Sequence, residues 1–246
     1  MPKLDSLGQQ ARQREYYSRT AAEYDSLHHH QLDEHQFALA MMCGAIELFG
    51  FKSILDIGSG TGRALSLLKT RFPDARIVGI EPSAQLREIG YTKGIPEDML
   101  IDGDAMSLGF PDGEFDLVCE FATLHHIPHP AQAVDEMLRV SRSAVFLSDS
   151  NKFGQGSAPM RAFKTVVERL GLWNALDWVR TGGKGYMESE GDGLFYSYSL
   201  YDDYRRIERA CASVHTFNTL GKGTNPKRQA PQVAMLGLKE ALIGNS

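Results

Sequence analysis

Residues 54–62 read ILDIGSGTG, a short apolar run followed by three glycines at alternate positions. Glycine lets a backbone turn sharply and lets a ligand approach it closely. A dinucleotide-binding turn has the spacing G-x-G-x-x-G, whereas here the third glycine is Gly62 and Arg63 holds the dinucleotide position. The carboxylate of Asp56 lies within this turn, where it would repel a diphosphate and attract an ammonium group. The segment therefore predicts a strand and turn that bind a nucleoside with a cationic tail.

Short apolar strands alternate with helical segments around this turn. This alternation is typical of β-α-β units, in which parallel strands are covered by helices on both faces. We therefore predict an α/β fold, a Rossmann-like doubly wound sheet that is mostly parallel, with its ligand beyond the carboxyl ends of the strands. Residues 213–219 and 233–239 are expected to form an antiparallel C-terminal edge. The other predicted strands are 52–57, 75–80, 98–101, 115–119 and 143–148.

The 246 residues are predicted to form a single domain in four parts. These are a helical cap (1–50), a cofactor-binding core (51–150), an inserted lid (151–200) and a C-terminal sheet edge (201–246). Within the lid, Trp173 and Trp178 stand at helical spacing and predict a core of its own, and a Gly-rich loop is expected over 181–193. Polar and aromatic residues of the lid either line a substrate pocket or face solvent: Asp149, Asn151, Gln155, Arg161, Lys164, Glu188, Asp192, Tyr196 and Tyr198.

Composition excludes several classes of protein. The chain has 26 Lys and Arg against 31 Asp and Glu, a net charge of −5, so nucleic acid is not expected as the main partner. Three widely spaced cysteines provide neither a disulfide framework nor a CxxC metal pair. The sequence contains no secretory signal and no apolar stretch long enough to span a membrane. We expect a cytoplasmic protein without a membrane partner, and the oligomeric state is left open.

Two more acidic residues follow predicted strands. Glu81 comes directly after the second strand and can accept hydrogen bonds from both hydroxyls of a ribose. Asp104 follows the third strand and can accept from the exocyclic amine of adenine. Each acid alone is also typical of a turn or a helix cap. Together with Asp56, they predict an adenosine-binding rim.

With these motifs the sequence resembles the class I S-adenosylmethionine-dependent methyltransferases, over residues 15–150. Within them it is most similar to the small-molecule branch (the methyltransferase-11 and ubiquinone-methyltransferase-like proteins). The resemblance is carried by LDIGSGTG (55–62), Glu81-Pro82, GDA (103–105), FDLVCEFATLHHIPHP (115–130) and YYSRTAAEYD (16–25). It implies S-adenosyl-L-methionine as cofactor and a small molecule as substrate.

The resemblance also implies roles for single residues. Asp56 and the backbone of the turn, with Gly58, Ser59, Gly60 and Gly62, would hold the methionine part of the cofactor. The ribose and adenine would be held by Glu81, Pro82, Asp104 and Ala105. Glu120 and Phe121 would line the methionyl side, and Tyr16 and Tyr24 would close over the cofactor.

A hydroxyl acceptor needs a general base, and histidine is the side chain best suited to that role near neutral pH. His125 and His126 follow the fourth strand, and His126 is favoured because a histidine recurs there in similar proteins. Alternatively, one histidine packs under the sheet and the other binds the backbone. Glu120, Asp149 and Asn151 imitate the spacing of a metal site but are displaced by one residue, so no metal is expected.

The expected reaction is therefore O-methylation of a polar or sugar-like metabolite, with N-methylation as a weaker alternative. An NAD(P)-dependent oxidoreductase is disfavoured by Asp56 and by the glycine spacing. A catalytically idle protein that only binds the cofactor also remains open, because such motifs report binding and not turnover.

Overall fold

The computed structural model describes residues 4–24, 34–191, 193–219 and 225–240. The strands, in chain order, are β1 (Ser53–Ile57), β2 (Arg76–Ile80), β3 (Leu100–Ile101), β4 (Phe115–Phe121), β5 (Ser141–Ser150), β6 (Met187–Ser189), β7 (Gly193–Phe195), β8 (Ser213–Asn218) and β9 (Gln232–Leu238). The helices are α1 (Ser6–Thr20), α2 (Glu34–Phe49), α3 (Arg63–Arg71), α4 (Ala84–Thr92), α5 (Pro130–Val140), α6 (Ala158–Arg169), α7 (Trp173–Arg180), α8 (Tyr204–Ala210) and α9 (Pro226–Gln229). Short 3₁₀ turns cover Ala21–Glu23, Leu124–His126 and Leu200–Asp202.

Seven strands form one sheet in the order β3-β2-β1-β4-β5-β9-β8. The strands β1 to β5 run parallel to one another. The strand β9 runs antiparallel to both of its neighbours, β5 and β8. This arrangement confirms the predicted doubly wound α/β sheet with an antiparallel C-terminal edge. The chain leaves β1 toward β2 on one side and returns to β4 on the other, which opens a crevice at the carboxyl ends of β1 and β4.

The two faces of the sheet are buried under different helices. Ile54 of β1 packs on the face covered by α2 and α3, whereas its neighbour Leu55 packs on the face covered by α5 and α8. Successive residues of a strand point to opposite faces, so an uninterrupted apolar strand indicates burial on both. Helix α2 ends at Phe49, because Gly50 follows it with a φ of +68° in the left-handed region.

The inserted segment between β5 and α8 contains α6, α7 and the β6–β7 hairpin. Part of the predicted Gly-rich loop is therefore a hairpin, in which Met187 pairs with Phe195. The prediction that both tryptophans form a lid core is wrong for Trp178, which is 67% exposed. Trp173 does pack, with its ring edge-on to Phe153 at 5.4 Å between centroids.

Among the helices of the described ranges, none combines the length and apolar content that crossing a bilayer requires.

Candidate active site

A cavity of about 680 Å³ lies beyond the carboxyl ends of the central strands. This volume falls within the range of small-molecule and cofactor sites. Helix α1 and the β6–β7 hairpin cover it from above, and α6 and α7 contribute its outer wall. Most of the predicted site residues line it: Tyr24, Asp56, Gly58, Ser59, Glu81, Pro82, Asp104, Ala105, Phe121, His125 and His126.

The glycine turn after β1 has a backbone that requires glycine. Gly58 and Gly60 have φ values of +70° and +56°, in the region that side chains rarely tolerate. A Cβ at Gly58 would lie 2.3 Å from Oγ1 of Thr123, and one at Gly60 would lie 2.9 Å from the Tyr24 hydroxyl. The amides of Gly58 and Ser59 both donate to the carbonyl of Ile80, at 2.9 and 3.0 Å. The turn therefore bends tightly over the crevice and packs directly against Thr123 and Tyr24.

Asp56 is buried at the end of β1, beneath this turn. Its carboxyl group accepts a hydrogen bond from the Cys119 thiol at 3.6 Å, and in the described part of the chain it forms no ion pair. Burial raises the pKa of Asp56 to about 7, because the hydrogen bonds to Ser59 and Cys119 compensate for only part of the lost solvation. A cation bound in the cavity would supply that compensation.

Glu81 holds the turn from the end of β2. Its two carboxyl oxygens accept from the backbone amides of Gly60 at 3.0 Å and Ser83 at 2.8 Å. Burial raises the pKa of Glu81 to about 7 despite these bonds. Asp104 accepts from the amide of Met106 at 2.9 Å and from the side chain of Gln10 at 3.2 Å. Asp56, Glu81 and Asp104 thus meet at one cavity, as their positions at strand ends predicted.

Four of the predicted cofactor residues do not line the cavity: Tyr16, Gly60, Gly62 and Glu120. Glu120 is buried and accepts from the amides of Thr123 at 3.0 Å and Ser148 at 2.9 Å, so it fastens the loop after β4 to β5. Burial, reinforced by the neighbouring Asp149, raises its pKa. The expectation that Glu120 lines the methionyl side is therefore corrected to a supporting position. Tyr16 is buried and donates to the backbone carbonyl of Glu190 at 2.8 Å, which ties α1 to the hairpin.

The two histidines stand side by side on the 3₁₀ turn after β4, with ring centroids 4.0 Å apart. Nδ1 of His125 lies 2.7 Å from Oδ1 of the fully buried Asp149, and the Leu124 amide donates to the other carboxylate oxygen at 2.8 Å. Burial alone would raise the pKa of Asp149, but the His125 ring and the backbone donors hold it below its usual range. Nδ1 of His126 instead lies 2.8 Å from the carbonyl of Leu194. A carboxylate accepts, so Nδ1 of His125 carries a proton and Nε2 is the basic nitrogen of its neutral ring. Nδ1 of His126 also lies 3.2 Å from the side-chain amide nitrogen of Gln13, a donor, so a donor and an acceptor both meet it.

Sequence reasoning missed the contribution of α1. Gln10, Gln13, Arg14 and Tyr17 line the cavity, and their spacing puts them on one helical face. The Leu194 amide donates to Oε1 of Gln13 at 2.5 Å, and the Tyr17 ring meets His126 edge-on at 5.9 Å between centroids. The helical spacing of these residues is the signal that could have identified them.

The far end of the cavity is polar. Ser197 Oγ and Gln232 Oε1 are buried in its wall, and no described residue forms a hydrogen bond with either atom. Of the lid residues expected to line a pocket, Gln155, Lys164, Tyr196 and Tyr198 do so. Asp149 lies behind His125, Arg161 and Glu188 lie elsewhere, and Asp192 falls outside the described residues. This end is built to receive hydrogen-bonding groups.

Both polar atoms of the Asn151 side chain form hydrogen bonds within the protein. Its amide nitrogen donates to the carbonyls of Pro226, Lys227 and Ala230, and its oxygen accepts from Ser199 Oγ at 3.0 Å. In the portion of the chain that the structure describes, no group of three or more His, Cys, Asp or Glu residues is arranged to hold a metal ion.

Comparison with known proteins bears on the central part of the chain. A family model described as a methyltransferase domain matches residues 55–147, from β1 to β5. The match contains the glycine turn, the three acids at strand ends and both histidines.

Two curated proteins show the range of relatives. Phosphatidylethanolamine N-methyltransferase of Cereibacter sphaeroides is 32% identical over 130 residues, which cover 51% of this chain and 62% of the relative. The 27-O-demethylrifamycin SV methyltransferase of Amycolatopsis mediterranei is 26% identical over 174 residues, which cover 65% of this chain and 60% of the relative. The chain therefore spans less than two thirds of the length of these relatives.

Among solved structures, the magnesium protoporphyrin IX methyltransferase of Synechocystis, which was crystallised with bound S-adenosylhomocysteine, has the same fold. The two superpose with a TM-score of 0.59 and 13% identity, over 94% of this chain and 100% of that one. At this identity the likeness concerns the fold alone.

Proposed function

The chain carries a class I S-adenosylmethionine-dependent methyltransferase domain, and from this premise we propose that it transfers a methyl group from S-adenosyl-L-methionine to a small molecule. The observation that carries the proposal is the buried pair Asp56 and Glu81, which meets the glycine turn at one cavity. Both carboxyl groups have a pKa raised to about 7 by burial, and a cationic ligand would favour their ionised forms.

The residues present fit this cofactor. The turn packs so closely on the loop after β4 that any Cβ at Gly58 would collide with Thr123, and Asp56 brings a buried carboxyl group to the cavity that a cationic group would neutralise. Asp56 and the backbone of Gly58 and Ser59 would hold the amino-acid part, and Glu81 would hold the ribose. Pro82, Asp104 and Ala105 would hold the adenine, whereas Gly60, Gly62, Glu120 and Tyr16 would support them. S-adenosyl-L-methionine, when bound, supplies a methyl group on a positively charged sulfur, which needs no covalent catalysis by the protein.

We propose His125 as the general base, in place of the His126 that the sequence alone favours. Its Nε2 would accept the proton of an acceptor hydroxyl, while Nδ1–H remains hydrogen-bonded to Asp149. The buried Asp149 carboxylate then stabilises the imidazolium and keeps the ring in the required orientation. Nδ1 of His126 instead lies at the uncharged carbonyl of Leu194, so the contact that distinguishes His125 is the buried carboxylate at its Nδ1. General-base assistance contributes about 10²–10⁴-fold.

The acceptor is proposed to be a polar molecule that is methylated on oxygen. Ser197 Oγ and Gln232 Oε1 support this proposal, because a buried polar atom without a partner costs about 1–3 kcal/mol until a ligand pairs with it. Tyr17 and Tyr24, whose rings meet edge-on at 5.8 Å between centroids, belong to the cover that would exclude water from the transfer.

Isothermal titration with S-adenosylhomocysteine tests the cofactor assignment. Wild-type protein is expected to bind it, and Asp56→Asn is expected to weaken binding about tenfold at pH above 7, since one pKa unit of differential interaction corresponds to about 1.4 kcal/mol. Incubation of metabolite extracts with methyl-labelled donor should then yield a methylated product. Absence of binding would end the proposal, and binding without any labelled product would favour the idle cofactor-binding protein.

Paired variants test the base. Asn retains a donor near the Nδ1 position and removes Nε2, so His125→Asn should keep the contact with Asp149 while turnover falls by about 10²–10⁴. His126→Asn is the matched control on the same turn and should retain most of the activity. Both should bind S-adenosylhomocysteine like the wild type. A larger loss of turnover in His126→Asn would assign the role to the other ring.

A further inference from the structure

Helices α6 and α7 expose an apolar surface that the cavity does not use. We define the outer patch by Met160, Phe163, Val166, Leu170, Trp178 and Val179, which are 48–69% exposed. The first four stand at positions i, i+3, i+6 and i+10, so they share one side of α6 and the turn that follows it. Most of the exposed large apolar side chains of the described residues belong to these two helices and their connection. A concentration of this kind marks a contact surface.

Positive charge accompanies the outer patch. Residues 157–187 contain five basic residues and two acidic ones, a net charge of +3 in a chain whose net charge is −5. One of the two acids, Glu168, is paired with Lys227 at 3.2 Å. Arg169, on the same helix as the first three patch residues, is exposed. The helices that carry the apolar surface are therefore positively charged, although the molecule as a whole is acidic.

We propose that the outer patch docks on the surface of an anionic lipid bilayer. Exposed Trp, Phe, Leu and Val side chains flanked by Lys and Arg are the composition with which helices bind the boundary between headgroups and acyl chains. Each Lys or Arg near an anionic leaflet contributes attraction that decays within a Debye length. The expectation of no membrane partner considers only long apolar stretches, whereas this surface combines side chains of two helices, α6 and α7.

The same charges disfavour a second copy of the chain as the occupant. In a two-fold symmetric dimer the patch would meet itself, so the basic residues of one copy would face those of the other. Like charges brought together across an interface are destabilising. An anionic surface removes this repulsion and covers the apolar side chains at the same time.

Docking would also place the cavity at the lipid surface. Lys164 of α6 and Arg180 of α7 line the cavity, while other side chains of the same helices form the outer patch. An amphiphilic acceptor could therefore pass from the bilayer to the transfer site along these helices. This last consequence rests on the proposed function, whereas the docking itself does not.

Co-sedimentation with vesicles tests the docking. The probes are vesicles of phosphatidylcholine alone and of phosphatidylcholine with about one third phosphatidylglycerol. We expect binding to the anionic vesicles, a blue shift of the Trp178 emission, and release when salt is raised from about 0.1 M to about 1 M, which shortens the Debye length from about 10 to about 3 Å. A variant with both Phe163→Asp and Val179→Asp should bind at least about tenfold more weakly, since it buries less apolar area and repels the leaflet.

Leu48→Asp is the matched control, because Leu48 is 70% exposed on α2 and lies outside the patch. It should bind vesicles like the wild type. Titration with S-adenosylhomocysteine separates the two proposals, since loss of cofactor binding with retained vesicle binding would overturn only the proposed function. Absence of vesicle binding, or equal binding to neutral vesicles, would overturn the docking. Wild-type dimerisation that Phe163→Asp abolishes, without vesicle binding, would assign the patch to a second copy.

Discussion

Gly60 occupies a position at which a single methyl group matters. Its φ is +56°, and a Cβ would lie 2.9 Å from the Tyr24 hydroxyl. Its amide also donates to Glu81, so movement of this residue would disturb a second part of the candidate cofactor site. Backbone strain of this kind costs about 1–3 kcal/mol. A substitution of Gly60 should therefore change both the affinity for the ligand and the stability of the protein.

The variant Gly60→Val is expected to weaken S-adenosylhomocysteine binding by about tenfold to a hundredfold, since each tenfold corresponds to about 1.4 kcal/mol. Gly44→Ala is the control, because Gly44 lies within α2 and a Cβ there meets no atom within 4 Å. In a helix interior that change should stabilise the protein by up to about 1 kcal/mol and leave affinity unchanged. Equal affinities for Gly60→Val and wild type in titration calorimetry would show that the turn does not bind the ligand.

The sequence predicts which side chains share the cavity where those residues follow the ends of parallel strands. Asp56, Glu81 and Asp104 were expected together because the carboxyl ends of parallel strands share one edge, and they do line one cavity. Glu120 and Phe121 could not both line it, because consecutive strand residues point to opposite faces. The partner of His125 was not predictable, since Asp149 reaches it only through the pairing of β4 with β5.

At the scale of the element, α1 was predicted as a helix but its position was not. Its residues are polar, so no apolar stripe indicates what it packs against. The contacts are hydrogen bonds to distant elements: Gln10 donates to Asp104, Tyr16 to the Glu190 carbonyl, and Gln13 accepts from Leu194. Such contacts leave no apolar stripe in the sequence, and the only trace of them is the helical spacing of polar residues such as Gln10, Gln13 and Arg14. The strands of the lid were also not predictable from the sequence, because strands as short as Met187–Ser189 have too few residues to show an alternation of apolar and polar side chains.

Removal of one contact should loosen α1 measurably. In Gln13→Ala the Leu194 amide loses the acceptor that now lies 2.5 Å away, at a cost of about 1–3 kcal/mol for a buried donor. Hydrogen exchange at Leu194 should therefore accelerate by about 5-fold to 100-fold, since each tenfold corresponds to about 1.4 kcal/mol. Gln132→Ala is the control, because Gln132 donates an exposed hydrogen bond to the carbonyl of Met106 and does not contact α1 or the hairpin through it. Unchanged exchange at Leu194 would mean that α1 does not hold the hairpin.

At the scale of the whole molecule, the buried carboxyls make stability depend on pH. In the unfolded chain Asp56 and Glu81 ionise near pH 4, whereas in the folded protein burial raises their pKa values to about 7. The folded state therefore binds more protons across this window, and their contribution to stability falls as pH rises from about 4 to about 7. A cationic ligand favours the ionised carboxylates, so its affinity should rise over the upper part of the same window.

We expect S-adenosylhomocysteine affinity to increase from about pH 5.5 to about pH 7.5, by up to about tenfold per pH unit for one carboxyl that must lose its proton. Below pH 7 its binding should release protons, which calorimetry in two buffers of different ionisation enthalpy detects. Asp56→Asn should flatten this dependence and should also reduce the loss of thermal stability of the ligand-free protein on raising the pH. Asp149, whose pKa is governed by burial and by its contacts with His125 and Ser150, cancels in the comparison, whereas the charge of Asp56 raises the pKa of Glu81, so that pKa should fall in the variant. Affinity that falls with rising pH in the wild type would show that the carboxyls do not receive the cationic end of the ligand.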